Sequence, residues 1–454
     1  MEILKDKNIA VDSHMDMRPS GGDTRVFPAW FHRHLSPSVF LMALGGVVGL
    51  LAGVAAFLLK KMIAWVSGAL TGCMRADGYN WLFLLLPVIG ILLTGIFQRY
   101  ILHRNITHGE EQMNNDIRHH RYKLPFELTF APMLAGTLTL GFGGSAGSEG
   151  PIAYVGGAIG SNIARWFGMS VSSMKVLLAC GAGAGIAGIF MAPVGGAMFA
   201  FEVLCVQLSM MAVLAVFVSA LTAGLTTYVL MGCHTDVVFA MPVGFEWHML
   251  PWVLLLGLFC GFYSYYYAAI MVRMRRWYDS FRNPWVENVV SGAIVGLFVF
   301  IFPVLYGEGY GFITKVLGGD AGAIADYGPF ARMLSGPWLV IALAGGVMLI
   351  KAFATSSTNC GGGVAGDFAP TLFAGCITGY FFAATLNTLF ALAIPETDFA
   401  LFGMAAVMAG TIRAPLMAMF LAVEMTQRYE LLLPAAIVAT ISFGVVLLLN
   451  RKRA

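Results

Sequence analysis

The chain has 454 residues, of which 58% are hydrophobic and 11% charged, with a formal net charge of +3. An ordinary soluble domain has about 45–50% apolar and about 25% charged residues, so this composition excludes a water-soluble enzyme. At about 20 residues per span, the apolar residues suffice for at most about a dozen membrane crossings. Continuous apolar runs such as 81–97 exclude a transmembrane barrel, whose strands alternate in polarity. We therefore predict an all-α polytopic membrane protein.

Apolar runs between charged or Gly/Pro breaks predict a series of helices. In chain order they cover 36–69, 80–102, 126–140, 151–167, 174–190, 194–208, 210–231, 249–272, 287–306, 337–356, 368–393, 398–411, 415–426 and 431–449. Several are too short to cross a hydrocarbon core of about 30 Å. Short apolar segments interrupted by Gly and Pro are typical of broken, tilted helices that meet at the membrane midplane around a binding site.

Basic residues collect outside the apolar runs, in 103–123, in 273–282 and at 451–453. Such clusters are typical of cytoplasmic loops rather than of a nucleic-acid surface, so we expect both termini in the cytoplasm and no nucleic-acid partner. The polar segment 1–35 has no apolar core, so we expect a cytoplasmic N-terminal segment and no cleaved signal peptide. With the compact length, this favours a bacterial inner membrane. The seven cysteines form no CxxC pair, so no metal site or other cofactor is expected.

Two segments of the chain recur, which indicates duplication. Segment 181–204 matches 403–426 at an offset of 222, and 143–156 matches 362–375 at an offset of 219. The first match places Glu202 on Glu424, and the second places Gly147 on Gly366 and Pro151 on Pro370. We predict two homologous membrane repeats, 36–232 and 249–449, joined by the loop 233–248 and followed by a basic cytoplasmic tail, 450–454. The relative orientation of the repeats does not follow from these matches.

Each copy of the second motif is a Gly-rich stretch that leads into a Pro and then an apolar segment. Gly permits a sharp bend and Pro is tolerated in a first turn, so 143–151 and 362–370 are predicted to be loops that open helices. A helix N-terminus presents unpaired N–H groups and the positive end of the dipole, which together bind an anion. Duplicated N-termini that converge in the membrane therefore predict an anion site. The alternative is that these glycines only permit close helix packing.

Glu149 lies inside the first of these loops, directly before Gly150 and Pro151. A carboxylate among N–H groups can occupy the anion position itself and leave when it is protonated or displaced. Intramembrane ionisable residues are usually functional, so Glu149 is a candidate gate. The alternative is a first-turn acid that only complements the helix dipole.

At these motifs the chain resembles the CLC family of chloride channels and chloride/proton antiporters of the bacterial type. GSEGP at 147–151 resembles the gating-glutamate motif of the family, and GIFMAP at 188–193 resembles its conserved turn. GDFAP at 366–370 resembles the segment whose amides bind chloride, and EMTQRYELLLP at 424–434 resembles the penultimate-helix signature. The resemblance covers about 40–449.

This resemblance implies a CLC-type inverted repeat and a homodimer in the lipid bilayer with one chloride pathway per subunit. It implies that Glu149 gates the pathway and that Gly147, Ser148, Gly150, Asp367, Phe368 and Ala369 contribute to anion binding. No enzymatic activity is expected.

Several positions depart from the family pattern. The antiporters of the family carry a proton-relay glutamate directly after the position of Glu202, whereas this chain has Val203, as in the channel branch. The inner motif that supplies a serine hydroxyl is replaced by THGEE at 107–111, which aligns His108 with the serine; His108 either donates a hydrogen bond to the anion or is an ordinary loop histidine. Because the sequence stops at Ala454, we expect no equivalent of the family's C-terminal chloride-coordinating tyrosine and no CBS domains.

Other charged residues in or beside apolar segments admit different roles. Asp367 is an unusual residue at its position and is either a helix N-cap or a second gate or proton site. Lys175, Lys351 and Arg413 lie near the ends of apolar segments, so we expect them to reach the membrane interface. Of these, Arg413 lies inside a turn that is placed to influence the pore. Glu202 and Glu424 match across the repeat, so we expect a structural role for both.

Three functions remain open at this point. The first is a passive, Glu149-gated chloride channel of the voltage-gated type, which Val203 favours. The second is a chloride/proton antiporter in which Asp367 or water replaces the missing glutamate. The third is an intramembrane serine hydrolase, because 143–147 fits GxSxG around Ser145; that pattern is weak without a strand-turn-helix context. The transported anion is not specified by these residues.

Overall fold

The computed structural model describes residues 36–72, 80–104, 106, 109–119, 121–205, 209–233, 245–330 and 336–451. Within these ranges the chain forms sixteen α-helices and no strand. They are α1 (Pro37–Thr71), α2 (Leu82–Ile96), α3 (Gly109–Arg118), α4 (Ala131–Gly141), α5 (Glu149–Trp166), α6 (Val171–Phe190), α7 (Pro193–Met198), α8 (Met210–Leu230), α9 (Leu250–Tyr278), α10 (Pro284–Ile301), α11 (Tyr310–Leu317), α12 (Pro337–Cys360), α13 (Phe368–Phe390), α14 (Glu396–Ile412), α15 (Pro415–Thr426) and α16 (Leu432–Arg451). The predicted all-α membrane fold is confirmed.

Nine helical segments among the described residues are long and apolar enough to cross a membrane. The outer helices expose apolar side chains, such as Leu50 on α1, Leu221 on α8 and Leu448 on α16. The central helices α5, α6, α13 and α14 are almost fully buried. Apolar side chains are as stable in lipid as inside the protein, so apolarity alone does not decide which helices are buried. The central helices are buried because they pack closely against one another.

Besides shifts of a few residues at helix ends, the structure differs from the predicted elements as follows. Helix α5 begins at Glu149, two residues before the predicted start, so Glu149 lies in the first turn. The predicted helix 194–208 is α7 followed by a π-helical turn, Phe199–Val203. Helices α3 and α11 were not predicted, because α3 is polar and α11 has only eight residues.

The two repeats pack in the same way at equivalent positions. A Cβ atom on Gly156 would lie 2.0 Å from the carbonyl oxygen of Gly181, where α5 crosses α6. In the second repeat a Cβ on Gly375 would lie 2.4 Å from the carbonyl oxygen of Gly403, where α13 crosses α14. These two pairs occupy matching positions in the duplicated sequence. The glycines therefore allow the same backbone-to-backbone crossing in each half.

The repeats meet at the Gly-rich segments that precede α5 and α13. Gly147 and Gly366 form an isolated antiparallel bridge. The N–H of Gly147 donates to the carbonyl of Gly366 over 3.0 Å, and the N–H of Gly366 donates to the carbonyl of Gly147 over 2.6 Å. Because Gly147 matches Gly366 in the sequence repeat, the bridge joins two equivalent residues. This reciprocal pairing is the one expected at the centre of an inverted repeat.

Candidate anion site

The bridge between Gly147 and Gly366 brings the first turns of α5 and α13 together. Ser148 and Asp367 are the N-cap residues of these two helices. Pro151 and Pro370 lie in the matching first turns, where a missing N–H costs no helical hydrogen bond. The structure thus brings together the two segments that were predicted to open helices at a shared site.

The predicted amide ligands are not equally available. The N–H of Gly147 is used in the bridge to Gly366, and the N–H of Ser148 is bound by a carboxylate described below. A donor already paired inside the protein must be released before it binds an anion, and anion binding by these two residues stays a prediction. Gly150, Phe368 and Ala369 lie in the first turns of α5 and α13, where backbone N–H groups lack helical partners.

Glu149 occupies the space between the two helix starts. Its side chain is fully buried. A Cβ atom on Gly147 would lie 1.9 Å from Glu149 Oε2, so the carboxylate lies directly against the bridge. Among the described residues, Oε2 of this carboxylate has no hydrogen-bond partner. The carboxylate therefore lies where converging helix N-termini would otherwise hold an anion.

Tyr310 provides the one side-chain hydrogen bond recorded to this carboxylate among the described residues. Its hydroxyl donates to Glu149 Oε1 over 2.5 Å. The Tyr310 ring packs edge-to-face on Phe190, at a centroid distance of 6.0 Å. Phe190 ends α6 within the GIFMAP motif, so this motif supports the residue that holds Glu149. Tyr310 was not among the residues predicted from the sequence.

Glu308, two residues before Tyr310, was also not predicted from the sequence. Its Oε1 accepts a hydrogen bond from the N–H of Ser148 over 3.0 Å. A signal was present in the sequence GEGYG at 307–311, a polar, Gly-rich interruption between two apolar segments. The folded chain shows that this segment contacts the GSEGP motif. The hydrogen bonds of Glu308 and Tyr310 to that motif each join residues about 160 positions apart in the sequence.

Asp367 occupies the N-cap position of α13, as one of its two predicted roles requires. Its side chain makes no capping hydrogen bond. Instead Asp367 Oδ1 accepts a hydrogen bond from Asn359 Nδ2 over 2.6 Å, which ties it to the end of α12. Phe368 follows with its ring edge-to-face on Phe199, at a centroid distance of 5.5 Å. The side chains of Asp367 and Phe368 thus hold the GDFAP segment in place. The backbone N–H groups that follow Asp367 lie in the first turn of α13.

Lys351 does not reach the membrane interface, and that prediction is wrong. Its side chain is fully buried, on α12. Its Nζ donates to Ser145 Oγ over 3.0 Å and lies 4.6 Å from the centre of the Phe373 ring. A buried ammonium is retained where partners compensate its lost hydration. When protonated, Lys351 adds positive charge near Glu149.

The hydroxyl of Ser145 is therefore engaged by a buried lysine. Ser145 itself is fully buried, and no histidine occurs among the buried polar side chains of the described residues. Its N–H is also held, by Thr358 Oγ1 over 3.0 Å. A hydrolase needs a substrate-accessible nucleophile beside a base, and the surroundings of Ser145 provide no such access.

Val203 ends the π-helical turn after α7 and is half-buried. Its neighbour Glu202 points into the protein, where its two carboxylate oxygens accept hydrogen bonds from the N–H groups of Leu416 and Met417 over 3.2 and 2.7 Å. The nearest acid in sequence is therefore committed to a helix start. Val203 itself has no ionisable group with which to relay a proton.

The remaining predicted residues are His108, Lys175 and Arg413. His108 lies outside the described residues. Lys175 is exposed, with its Nζ 4.8 Å from the centre of the Tyr122 ring, as expected for a residue at the interface. Arg413 is exposed in a left-handed turn after α14 and lines a cavity of about 340 Å³ with Arg273 and Arg276. No cluster of potential metal ligands occurs in the described part of the chain.

Comparison with known proteins agrees with this geometry. A model of the family described as "Voltage gated chloride channel" matches residues 89–447. The chain therefore belongs to the voltage gated chloride channel (CLC) family, whose members carry anions across membranes as channels or transporters. It is a multi-pass integral membrane protein of this family.

Individual relatives carry two kinds of name. A putative chloride channel protein ClcB-like from Ralstonia nicotianae is 29% identical over 413 residues, 87% of this chain and 90% of the relative. An H(+)/Cl(-) exchange transporter ClcA from Vibrio vulnificus is 30% identical over 428 residues, 90% of this chain and 86% of the relative. The names of these relatives thus include both a channel and an exchanger.

Solved structures share the fold. A slow cyanobacterial Cl-/H+ antiporter matches with a TM-score of 0.73 and 24% identity, over 91% of this chain and 95% of that structure. A eukaryotic CLC transporter matches with a TM-score of 0.68 and 18% identity, over 90% of this chain and 72% of that structure. The inverted-repeat CLC fold predicted from the motifs is confirmed.

Proposed function

We propose that this protein is a passive chloride channel in which Glu149 is the gate. The observation that carries the proposal is the placement of the Glu149 carboxylate between the first turns of α5 and α13, against the Gly147–Gly366 bridge. A carboxylate in that position blocks an anion by occupying its place. Protonation, or displacement by an incoming anion, frees the helix N-termini for chloride.

The anion contacts that we propose are backbone amides in the two first turns. Gly150, Phe368 and Ala369 supply donors directly, and Gly147, Ser148 and Asp367 shape the site at the helix starts. His108 is the proposed inner contact. Amide donors hold a small anion without a fixed cation in the path, so chloride leaves as readily as it enters. Other small anions suit the same donors.

The channel mechanism is favoured over coupled exchange by Val203. A proton-coupled mechanism needs a titratable group on the inner side, and Val203 offers none, while Glu202 is committed to capping α15. Chloride then moves down its own gradient. No covalent step is involved, so the protein is not an enzyme.

A chloride/proton antiporter with an unusual proton path is the alternative. The observation in its favour is Asp367, an acid directly before Phe368 at the start of α13. Its hydrogen bond from Asn359 leaves it beside the anion site, where it is able to exchange a proton with water. In this mechanism Asp367 replaces the missing inner glutamate.

Simultaneous recording of chloride and protons distinguishes the two mechanisms. The full chain is reconstituted in liposomes, and chloride efflux is recorded together with external pH under a chloride gradient and no proton gradient. A channel gives efflux that needs a potassium shunt and moves no protons. If protons move uphill and this movement is lost in Asp367→Asn, the protein is an antiporter and the channel mechanism is wrong. Absence of any chloride movement would contradict both.

The cellular setting that we propose is a bacterial inner membrane with both termini in the cytoplasm. The basic residues of 273–282 and of 451–453 support this orientation, because cytoplasmic loops carry the excess of Lys and Arg. A homodimer with one pathway per subunit is proposed from family membership. Crosslinking in native membranes followed by mass determination tests the dimer.

A further inference from the structure

Glu308 lies on the opposite side of the membrane from the basic loop after α9. Helix α10, Pro284–Ile301, is apolar and long enough to span the bilayer, and it separates 273–282 from the segment that carries Glu308. With the basic loop in the cytoplasm, Glu308 faces the outside. On that side it contacts Ser148, the residue directly before Glu149.

Two glycines in left-handed conformations hold Glu308 in place. Gly307 has a φ of 64° and Gly309 a φ of 85°. Residues other than glycine rarely adopt such positive φ angles. A Cβ atom on Gly309 would lie 2.4 Å from the Phe373 ring, so the backbone is pressed against α13. The loop cannot shift without disturbing both the second repeat and Tyr310.

From this loop, Glu308 reaches across to the first repeat. Its Oε1 accepts the N–H of Ser148 over 3.0 Å, at the N-cap of α5. Its charge also acts on the neighbouring Glu149. Glu308 is half-buried, so solvent and ions reach it, whereas Glu149 is fully enclosed. The start of α5 is thus engaged by two carboxylates of the protein, one inner and one outer.

We propose that Glu308 is an outer carboxylate that competes with the external anion and so sets the affinity of the pore from that side. A carboxylate bound to a backbone N–H resembles a bound anion in charge and in hydrogen bonding. An anion that arrives from outside must displace Glu308 from Ser148 or bind beside its negative charge. The inference rests on the proposed anion transport and assigns a specificity-determining residue to that same site.

Two substitutions test this role. Glu308→Gln keeps an oxygen that can accept the N–H of Ser148 and removes the charge, whereas Glu308→Ala removes both. Asp320→Asn is the matched control, because it removes one charge from an exposed residue after α11 that makes no recorded contact with α5. Chloride affinity is measured by isothermal titration calorimetry on the purified full chain. Initial chloride uptake into liposomes, measured against external chloride, provides a second readout.

We expect Glu308→Gln to lower the dissociation constant for chloride by about threefold to tenfold, from the loss of one nearby like charge. Glu308→Ala should lower it at least as far, and Asp320→Asn should leave it within about 1.5-fold. Unchanged or weaker chloride binding in both Glu308 variants would overturn the inference. If the unmodified protein binds chloride but transports none, the proposed function fails, while the calorimetric comparison still decides the role of Glu308.

Discussion

Glu202 and Glu424 make reciprocal contacts, because each caps a helix of the other repeat. Glu202, from the first repeat, caps the start of α15, with its shortest hydrogen bond, 2.7 Å, from the N–H of Met417. Glu424, from the second repeat, caps the start of α7, also with a shortest bond of 2.7 Å, from the N–H of Gly195. Each acid thus closes a helix of the other half. The sequence match between the two glutamates has the same symmetry as their contacts.

Removing either cap should destabilise the fold without abolishing transport. Glu424→Ala leaves the N–H groups of Val194 and Gly195 without their carboxylate partner, at a cost of about 1–3 kcal/mol for each buried donor. We expect a lower melting temperature in detergent, and the same for Glu202→Ala. Glu127→Ala, at an exposed acid, is the control and should melt like the parent. A melting temperature unchanged in both variants would contradict the structural role.

The fold followed from sequence because its signals are periodic and duplicated. The apolar runs and the repeats predict both halves, and the GSEGP and GDFAP motifs predict the two helix starts. The sequence did not show which distant segments contact each other. Glu308 and Tyr310 contact a motif that is far away in the chain. A short polar interruption gives no indication of what it contacts.

Lys351 was mispredicted for a related reason. A lysine near the end of an apolar run most often extends to the membrane interface. Here α12 continues to Cys360 beyond the predicted end at residue 356, and Ser145 offers an acceptor inside the protein. Whether a charge is buried depends on the helix packed against it, which the local pattern does not specify.

Tyr310 should restrain the gate through its hydroxyl alone. Tyr310→Phe removes the hydrogen bond to Glu149 Oε1 and keeps the ring that packs on Phe190. Hydrogen bonds to charged groups contribute about 1.5–3 kcal/mol, so we expect chloride flux at neutral pH to rise at least about fivefold. Tyr306→Phe is the matched control, because its hydroxyl donates to the carbonyl of Gly141 over 2.7 Å. Equal fluxes in the two variants would exclude a gating role for the Tyr310 hydroxyl.

Lys351 should support anion binding more than it supports folding. Lys351→Met has a similar shape and removes the buried ammonium. Replacing a buried charge with an apolar group is often neutral or stabilising, so the melting temperature should not fall. Chloride affinity should fall about tenfold with the loss of a nearby positive charge. Calorimetry and thermal melting measure both quantities, with Lys175→Met as the exposed control; a lower melting temperature with unchanged affinity would assign Lys351 a purely structural role.

The crossing of α13 and α14 should tolerate no side chain at Gly375. Its Cβ would lie 2.4 Å from the carbonyl oxygen of Gly403, so Gly375→Ala must separate the two helices. We expect poor yield of folded protein and a lower melting temperature, and the same for Gly156→Ala in the first repeat. Gly444→Ala is the control, because a Cβ there meets nothing within 4 Å and alanine favours the helix by about 1 kcal/mol. Stability equal to that of the Gly444 variant would show that the crossing has room to adjust.

Glu149 should make transport depend on pH. Protonation neutralises the carboxylate and releases it from the helix N-termini, so chloride flux through the unmodified protein should rise as the pH falls. Glu149→Gln mimics the protonated side chain, and its flux should be high and almost independent of pH. The charged or titratable groups that act on Glu149 are Glu308, Tyr310 and Lys351, and they remain in this variant. A pH response in Glu149→Gln as steep as in the unmodified protein would therefore transfer the pH-sensitive gate from Glu149 to one of these three neighbours.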